Sequence, residues 1–169
     1  GISQLIVVGT NRDTNPQVLA LAEQYDFVYC ALGIHPHDAS TASPDDLTWI
    51  AAHALHPKVK AIGECGLDYH YPDFDQAQQA RIFRAQIDLA HQLNLPLVIH
   101  NRKSTTDTLS ILNEKKPVAG YIGHWHCFDE SLAVARHALE LGLHIGFTGI
   151  VTYKKSDELR EVCKHIPLD

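Results

Sequence analysis

The sequence has no C-x-x-C pair, no apolar run of membrane-span length, no signal-peptide pattern at its start and no block of like charge. Each absence removes a class of protein. Cys30, Cys65, Cys127 and Cys163 stand far apart, and at least three lie in or beside apolar segments. They read as free thiols packed inside a protein of a reducing compartment rather than as a disulfide framework. Without a span or a leader pattern, the expectation is a cytoplasmic protein with no membrane role. The formal net charge is −6, with acidic and basic residues interspersed. No basic stripe for non-specific nucleic-acid binding is present, so any phosphate-bearing substrate must be held locally. Linkers and low-complexity stretches are also missing, and residues 1–169 read as a single domain.

With 45% hydrophobic residues in 169, the chain can bury a substantial core. Short β-rich apolar runs alternate with helical patterns. Strands are expected near Gln4–Gly9, Phe27–Gly33, Val59–Gly63, Leu95–Ile99, Val118–Trp125 and Leu143–Phe147. Four intervening segments carry clear helix grammar. Ser43 caps and Pro44 opens the first, whose apolar residues Leu47, Ile50, Ala51 and Ala54 share one face. A longer helix runs from about Asp75 to Leu93, another follows Asp129 or Ser131 and closes at Gly142, and a last one carries Leu159, Val162, Cys163 and Ile166.

Strands separated by helices imply parallel pairing through crossovers, which a doubly wound sheet and a (β/α)8 barrel both satisfy. The first strand is followed by "GTNRD" rather than a G-x-G-x-x-G phosphate loop, and several strands rather than one crevice end in polar groups. Both features favour the TIM (β/α)8-type barrel, an α/β fold.

In such a barrel the strand C-termini share the face on which active sites are built. The segments "LGIHPHD", "IGECGLDY", "LVIHNRK" and "GHWHCFD" therefore bring His35, Glu64, His100 and His126 together. Glu64 alone reads first as a capping or salt-bridged carboxylate, and either histidine alone as a hydrogen-bonded core or rim residue. As a set, one carboxylate and two imidazoles, each expected at the last position of its own strand, suit Zn²⁺ or Mn²⁺ and, less well, Mg²⁺. His124, two residues before His126, is expected one layer deeper as a satisfied interior histidine. Trp125 should face away and pack between strand and helix.

The motifs "GIHPHD", "AIGECGLDY", "LPLVIHNR", "HCFDES" and "IGFTGIVTY" resemble, in order and spacing, the TatD-type metal-dependent deoxyribonucleases of the amidohydrolase-like TIM barrels. The resemblance covers nearly the whole chain. It implies that Glu64 is the carboxylate ligand, able to bridge two divalent ions, and a catalytic residue. It makes His100 and His126 imidazole ligands, and His35 and Arg102 contacts to substrate phosphate. For Arg102, a helix-start arginine paired to a nearby Asp is an equal alternative. Asp68 fits the family pattern and is expected to order its loop rather than bind metal. Cys65 and Cys127, beside ligands, are expected to pack rather than attack.

Family members begin with a His-x-His pair on the first strand and end in a Glu-Thr-Asp stretch after the last, and neither motif occurs in these 169 residues. Six of eight βα units are accounted for, the first and last missing. A complete barrel needs about 250 residues, and the chain has no initiator Met. The expectation is a segment of a longer protein. Its implied chemistry is hydrolysis of a phosphodiester, at DNA ends or in a small substrate, with one or two divalent metals (Mg, Mn or Zn) and no protein partner. Fold and metal set do not choose the bond. A metallohydrolase of a small amide, ester or lactone, or a non-catalytic metal-binding scaffold, stays open at this stage.

Overall fold

A computed structural model of the chain describes residues 1–115 and 122–168. Six strands form one parallel sheet: β1 (Leu5–Val8), β2 (Val28–Leu32), β3 (Val59–Asp68), β4 (Leu97–Arg102), β5 (Gly123–Trp125) and β6 (Leu143–Ile145). Their spatial order is their sequence order, β1-β2-β3-β4-β5-β6. That order has a physical consequence. Right-handed crossovers that always step in the same direction put every helix on one face, whereas a doubly wound sheet must reverse at a switch point. This sheet is singly wound, as a barrel wall is, with β1 and β6 at its edges among the described residues.

The helices are α1 (Thr14–Gln24), α2 (Pro44–His53), α3 (Gln76–Leu93), α4 (Thr105–Glu114), α5 (Leu132–Glu140) and α6 (Asp157–His165). Ser43 and Asp46 form a capping box at the start of α2, with Pro44 in its first turn. Asp75 caps α3 through the Gln78 N–H, and Asn94 closes it in the left-handed conformation. Ser131 opens α5, and Gly142 ends it with φ 87°. Between sheet and helices lies the core, which includes Leu32, Ile50, Ile62, Phe83, Ile87, Ile99, Leu112 and Trp125. Trp125 is fully buried against Phe128, as its position on the strand requires.

Several expectations change. The third strand does not stop at Gly63 but continues to Asp68, so Glu64 sits inside a ten-residue strand rather than at its end. His100 likewise lies within β4, and His126 follows the last residue of β5. The reason is backbone geometry. Gly66 has φ 137°, and a Cβ there would collide with the His100 carbonyl oxygen. Glycine lets β3 run closely beside β4 where a turn would be expected. Part of the strand expected over 118–125 lies outside the described residues, and β5 begins at Gly123. Helices α1 and α4 join the four expected. Cys30 and Cys65 are buried and Cys163 is half-buried, but Cys127, with φ 49°, is exposed and does not pack.

Candidate metal centre

Glu64 is the hub of the strand-end face. Its Oε1 lies 2.6 Å from His126 Nε2, 3.0 Å from His100 Nδ1 and 3.7 Å from His35 Nε2. These four side chains are largely shielded from solvent, with Glu64 only 16% exposed. Burial pushes the Glu64 carboxyl up, but contacts from His100 and His126 and the positive charge that His126 and His35 carry when protonated outweigh it and hold the group well below the usual range.

Proton count separates the three imidazoles. His100 faces a carboxylate at each nitrogen: Nδ1 meets Glu64, and Nε2 lies 3.1 Å from Asp68 Oδ2. A neutral imidazole has one N–H, so it can satisfy only one of them. With the proton on Nε2 toward Asp68, Nδ1 presents a lone pair to the Glu64 oxygen. His126 Nε2 is buried and, close as it is to Glu64, is out of line for a hydrogen bond. Acceptors converging on a point with too few protons between them are what a bound cation resolves.

His35 carries its proton on the same nitrogen as His100 but turns that nitrogen, not the bare one, toward Glu64. Its Nδ1 accepts the His37 backbone N–H at 3.2 Å, which puts the proton on Nε2. The potential ligand atoms of His35, Glu64 and His100 all lie within 4.8 Å of one another. Even so, His35 enters that group with an N–H forward. Burial, reinforced by the neighbouring His100, lowers its pKa to about 4, so the ring is neutral at ordinary pH.

Asp68, four residues beyond Glu64 on the same strand, is 1% exposed. Its Oδ2 faces His37 Nε2 at 2.9 Å and His100 Nε2 at 3.1 Å, while Oδ1 accepts the His70 N–H at 2.9 Å. It does order the following loop, as expected, and also holds His100 from behind. Burial raises its pKa, but these hydrogen bonds outweigh burial and keep it ionised. His37 was not singled out from the sequence. The short turn Pro36–Asp38 that carries it into the site is signalled by the Pro after His35.

Two buried amides brace these segments. Gln79 donates to the Asp68 carbonyl and accepts its N–H, and Gln86 does the same at Ile34. Asn15 clips Gly33 in the same two-point manner. Arg102, at the end of β4, is exposed, and its guanidinium lies 5.5 Å from the Tyr71 ring centroid, beside the site rather than among the Glu64 partners. His124 is half-buried and lines, with Glu64 and His126, a cavity of about 420 Å³ on the sheet face away from the helices. Burial lowers its pKa.

A barrel-type sheet with a carboxylate and imidazoles crowded on its strand-end face offers the donor set of a divalent-ion site. The chain belongs to the TatD related DNase family, whose pattern it matches over residues 1–169. It is 42% identical over 168 residues to the metal-dependent hydrolase YabD of Bacillus subtilis, covering 99% of this chain and 66% of that protein. To the 3'-5' ssDNA/RNA exonuclease TatD of Erwinia tasmaniensis it is 37% identical over 171 residues, covering 100% of this chain and 66% of that one. The crystal structure of YJJV, a TatD homologue from Escherichia coli K12, superposes with a TM-score of 0.91 at 32% identity, over 99% of this chain and 65% of that one. The chain thus spans just under two thirds of the length of these relatives.

Proposed function

We propose that the protein carrying this chain is a metal-dependent phosphodiesterase that trims DNA ends, a cytoplasmic deoxyribonuclease. The observation that carries this reading is the convergence of three imidazole nitrogens on one oxygen of Glu64. Glu64, His100 and His126 would hold one or two divalent ions, with Mn²⁺, Mg²⁺ or Zn²⁺ fitting the donor set. Such an ion, when bound, supplies a water of lowered pKa and charge neutralisation at the phosphoryl oxygens.

The remaining work falls to the chain's own groups. Asp68 keeps the proton of His100 on Nε2, so that Nδ1 stays a lone-pair donor. His35, neutral and carrying its proton on Nε2, can donate to a phosphoryl oxygen. Arg102, exposed at the rim, supplies the local positive charge that a protein of net charge −6 lacks globally. No nucleophilic side chain is required, and the thiol of Cys65 is pushed up by burial and by Glu64, which suits packing rather than attack.

The test is cleavage of single-stranded DNA with Mg²⁺ or Mn²⁺ by the protein and by Glu64→Ala, together with the metal content of each. We expect at least about a 100-fold loss of cleavage, with loss of bound metal. Equal cleavage by the two would overturn the role given to Glu64, and turnover of a small amide with DNA left intact would overturn the nuclease reading.

A further inference from the structure

The loop between β3 and α3 carries an aromatic cluster that neither the metal centre nor the core uses. Phe74 stacks on His37 with centroids 4.4 Å apart and planes 10° apart. Tyr71 meets His70, His37 and Phe74 at 4.7, 5.4 and 6.1 Å, each nearly perpendicular to it. Three such contacts fix the orientation of the ring. Yet Tyr71 is 44% exposed. Leaving an oriented aromatic ring open to water gains nothing in packing. His37 in turn makes a ring contact with His35 at 4.5 Å, so Tyr71 stands one ring away from the imidazole that faces Glu64.

Positive charge lies beside the ring. The Arg102 guanidinium is over Tyr71, and Lys103 follows it, also exposed. An exposed aromatic ring with a cation over it, next to a site proposed to handle a phosphodiester, is the combination by which single-stranded nucleic acid is held without sequence preference. Stacking is added by the ring and backbone attraction by the cations.

We propose that Tyr71, backed by Phe74 and with Arg102 over its ring, is a nucleobase-stacking subsite that seats the nucleotide next to the scissile phosphate. This rests on the nuclease reading above. It assigns the β3–α3 loop to substrate binding and makes a single-stranded end with an intact base the preferred ligand over a bare sugar–phosphate chain.

The experiment measures binding by the metal-loaded protein of a fluorescein-labelled phosphorothioate hexathymidylate and of an abasic chain of the same length and linkage. Wild type should bind the thymidylate about tenfold more tightly than the abasic chain. Tyr71→Ala should bring the thymidylate down to the abasic level and leave the abasic chain unchanged, and Tyr71→Trp should restore the preference. Arg102→Gln should weaken both probes alike and reduce the salt dependence. A wild type without preference for the base, or a Tyr71→Ala loss equal on both probes, overturns the subsite while leaving the nuclease reading intact. If wild type binds neither probe and cleaves no DNA, the nuclease reading falls and the subsite with it. Thermal melting of each variant separates loss of fold from loss of contact.

Discussion

His100 and Asn101 are neighbours on β4 and point to opposite sides of the strand, and their polar surroundings could hardly differ more. Asn101 is 8% exposed and uses its whole hydrogen-bonding capacity. Its amide donates to Thr105 and Glu130, and its Oδ1 accepts from Thr108 and from Ser104, whose hydroxyl also reaches the Leu67 carbonyl. Thr105 closes the circle by donating to Glu130 at 2.6 Å. Each contact there has a proton to itself except the two that share the Ser104 hydroxyl. Around His100 protons are far scarcer, because four imidazoles, His37 among them, and two carboxylates offer more lone pairs than N–H groups. A balanced buried network stabilises structure, while an unbalanced one stores capacity for something not covalently part of the chain.

That contrast can be broken from either side. The largest expected effect is Asp68→Asn, which keeps the shape but weakens the hold on the His100 proton; metal affinity should fall about 10- to 100-fold, as titration with Mn²⁺ would show. Unchanged affinity would mean that Asp68 serves the loop alone. Asn101→Ala should do the reverse. It leaves several buried groups unpaired and should cost about 2 kcal/mol in urea denaturation, with metal affinity nearly unaltered.

A smaller effect sharpens the same division through pH. In the metal-free protein, His35 has a folded-state pKa of about 4, below its value of 6.5 in the unfolded chain. Its contribution is complete above that unfolded value and declines as pH falls toward the folded one, because the unfolded state takes up the proton first. Glu64 and Asp68, both depressed, lose their contributions lower still, as pH falls through their folded values. The free energy of unfolding from urea denaturation should therefore drop by on the order of 1 kcal/mol between about pH 7 and about pH 5. Asn101→Ala should shift that curve down without changing its slope, and a flat curve in the wild type would remove His35 from the account.

Alternation of strand and helix, with polar residues where apolar runs end, was enough to read the barrel wall and to bring Glu64, His100, His126 and His35 to one face. Glycines misled at one point. Gly63 and Gly66 look like punctuation after a short strand, yet both belong to β3, where they admit the backbone of β4. The reach of that strand to Asp68, and with it the proton logic of His100, was hidden by this. Helices α1 and α4 escaped for a different reason. Pro16 interrupts the opening of α1, and the start of α4 is rich in threonine, a modest helix former. Burial of Thr108, Ile111 and Leu112 overrides that local preference. Nothing in a sequence marks Gln79 or Gln86 as anything but polar residues of a surface helix.

Those two glutamines turn α3 into a ruler. Seven residues apart on one helix, they grip the backbone at Ile34 and at Asp68, each by a matched pair of bonds. The helical rise sets their separation at about 10 Å along the axis. The arm carrying His35 and the arm carrying Asp68 are thereby indexed to a rigid pitch instead of depending only on how two strands settle. Inserting or deleting one residue between positions 79 and 86 would turn one grip about 100° away from its target, throwing the two halves of the centre out of gauge while each kept its own fold.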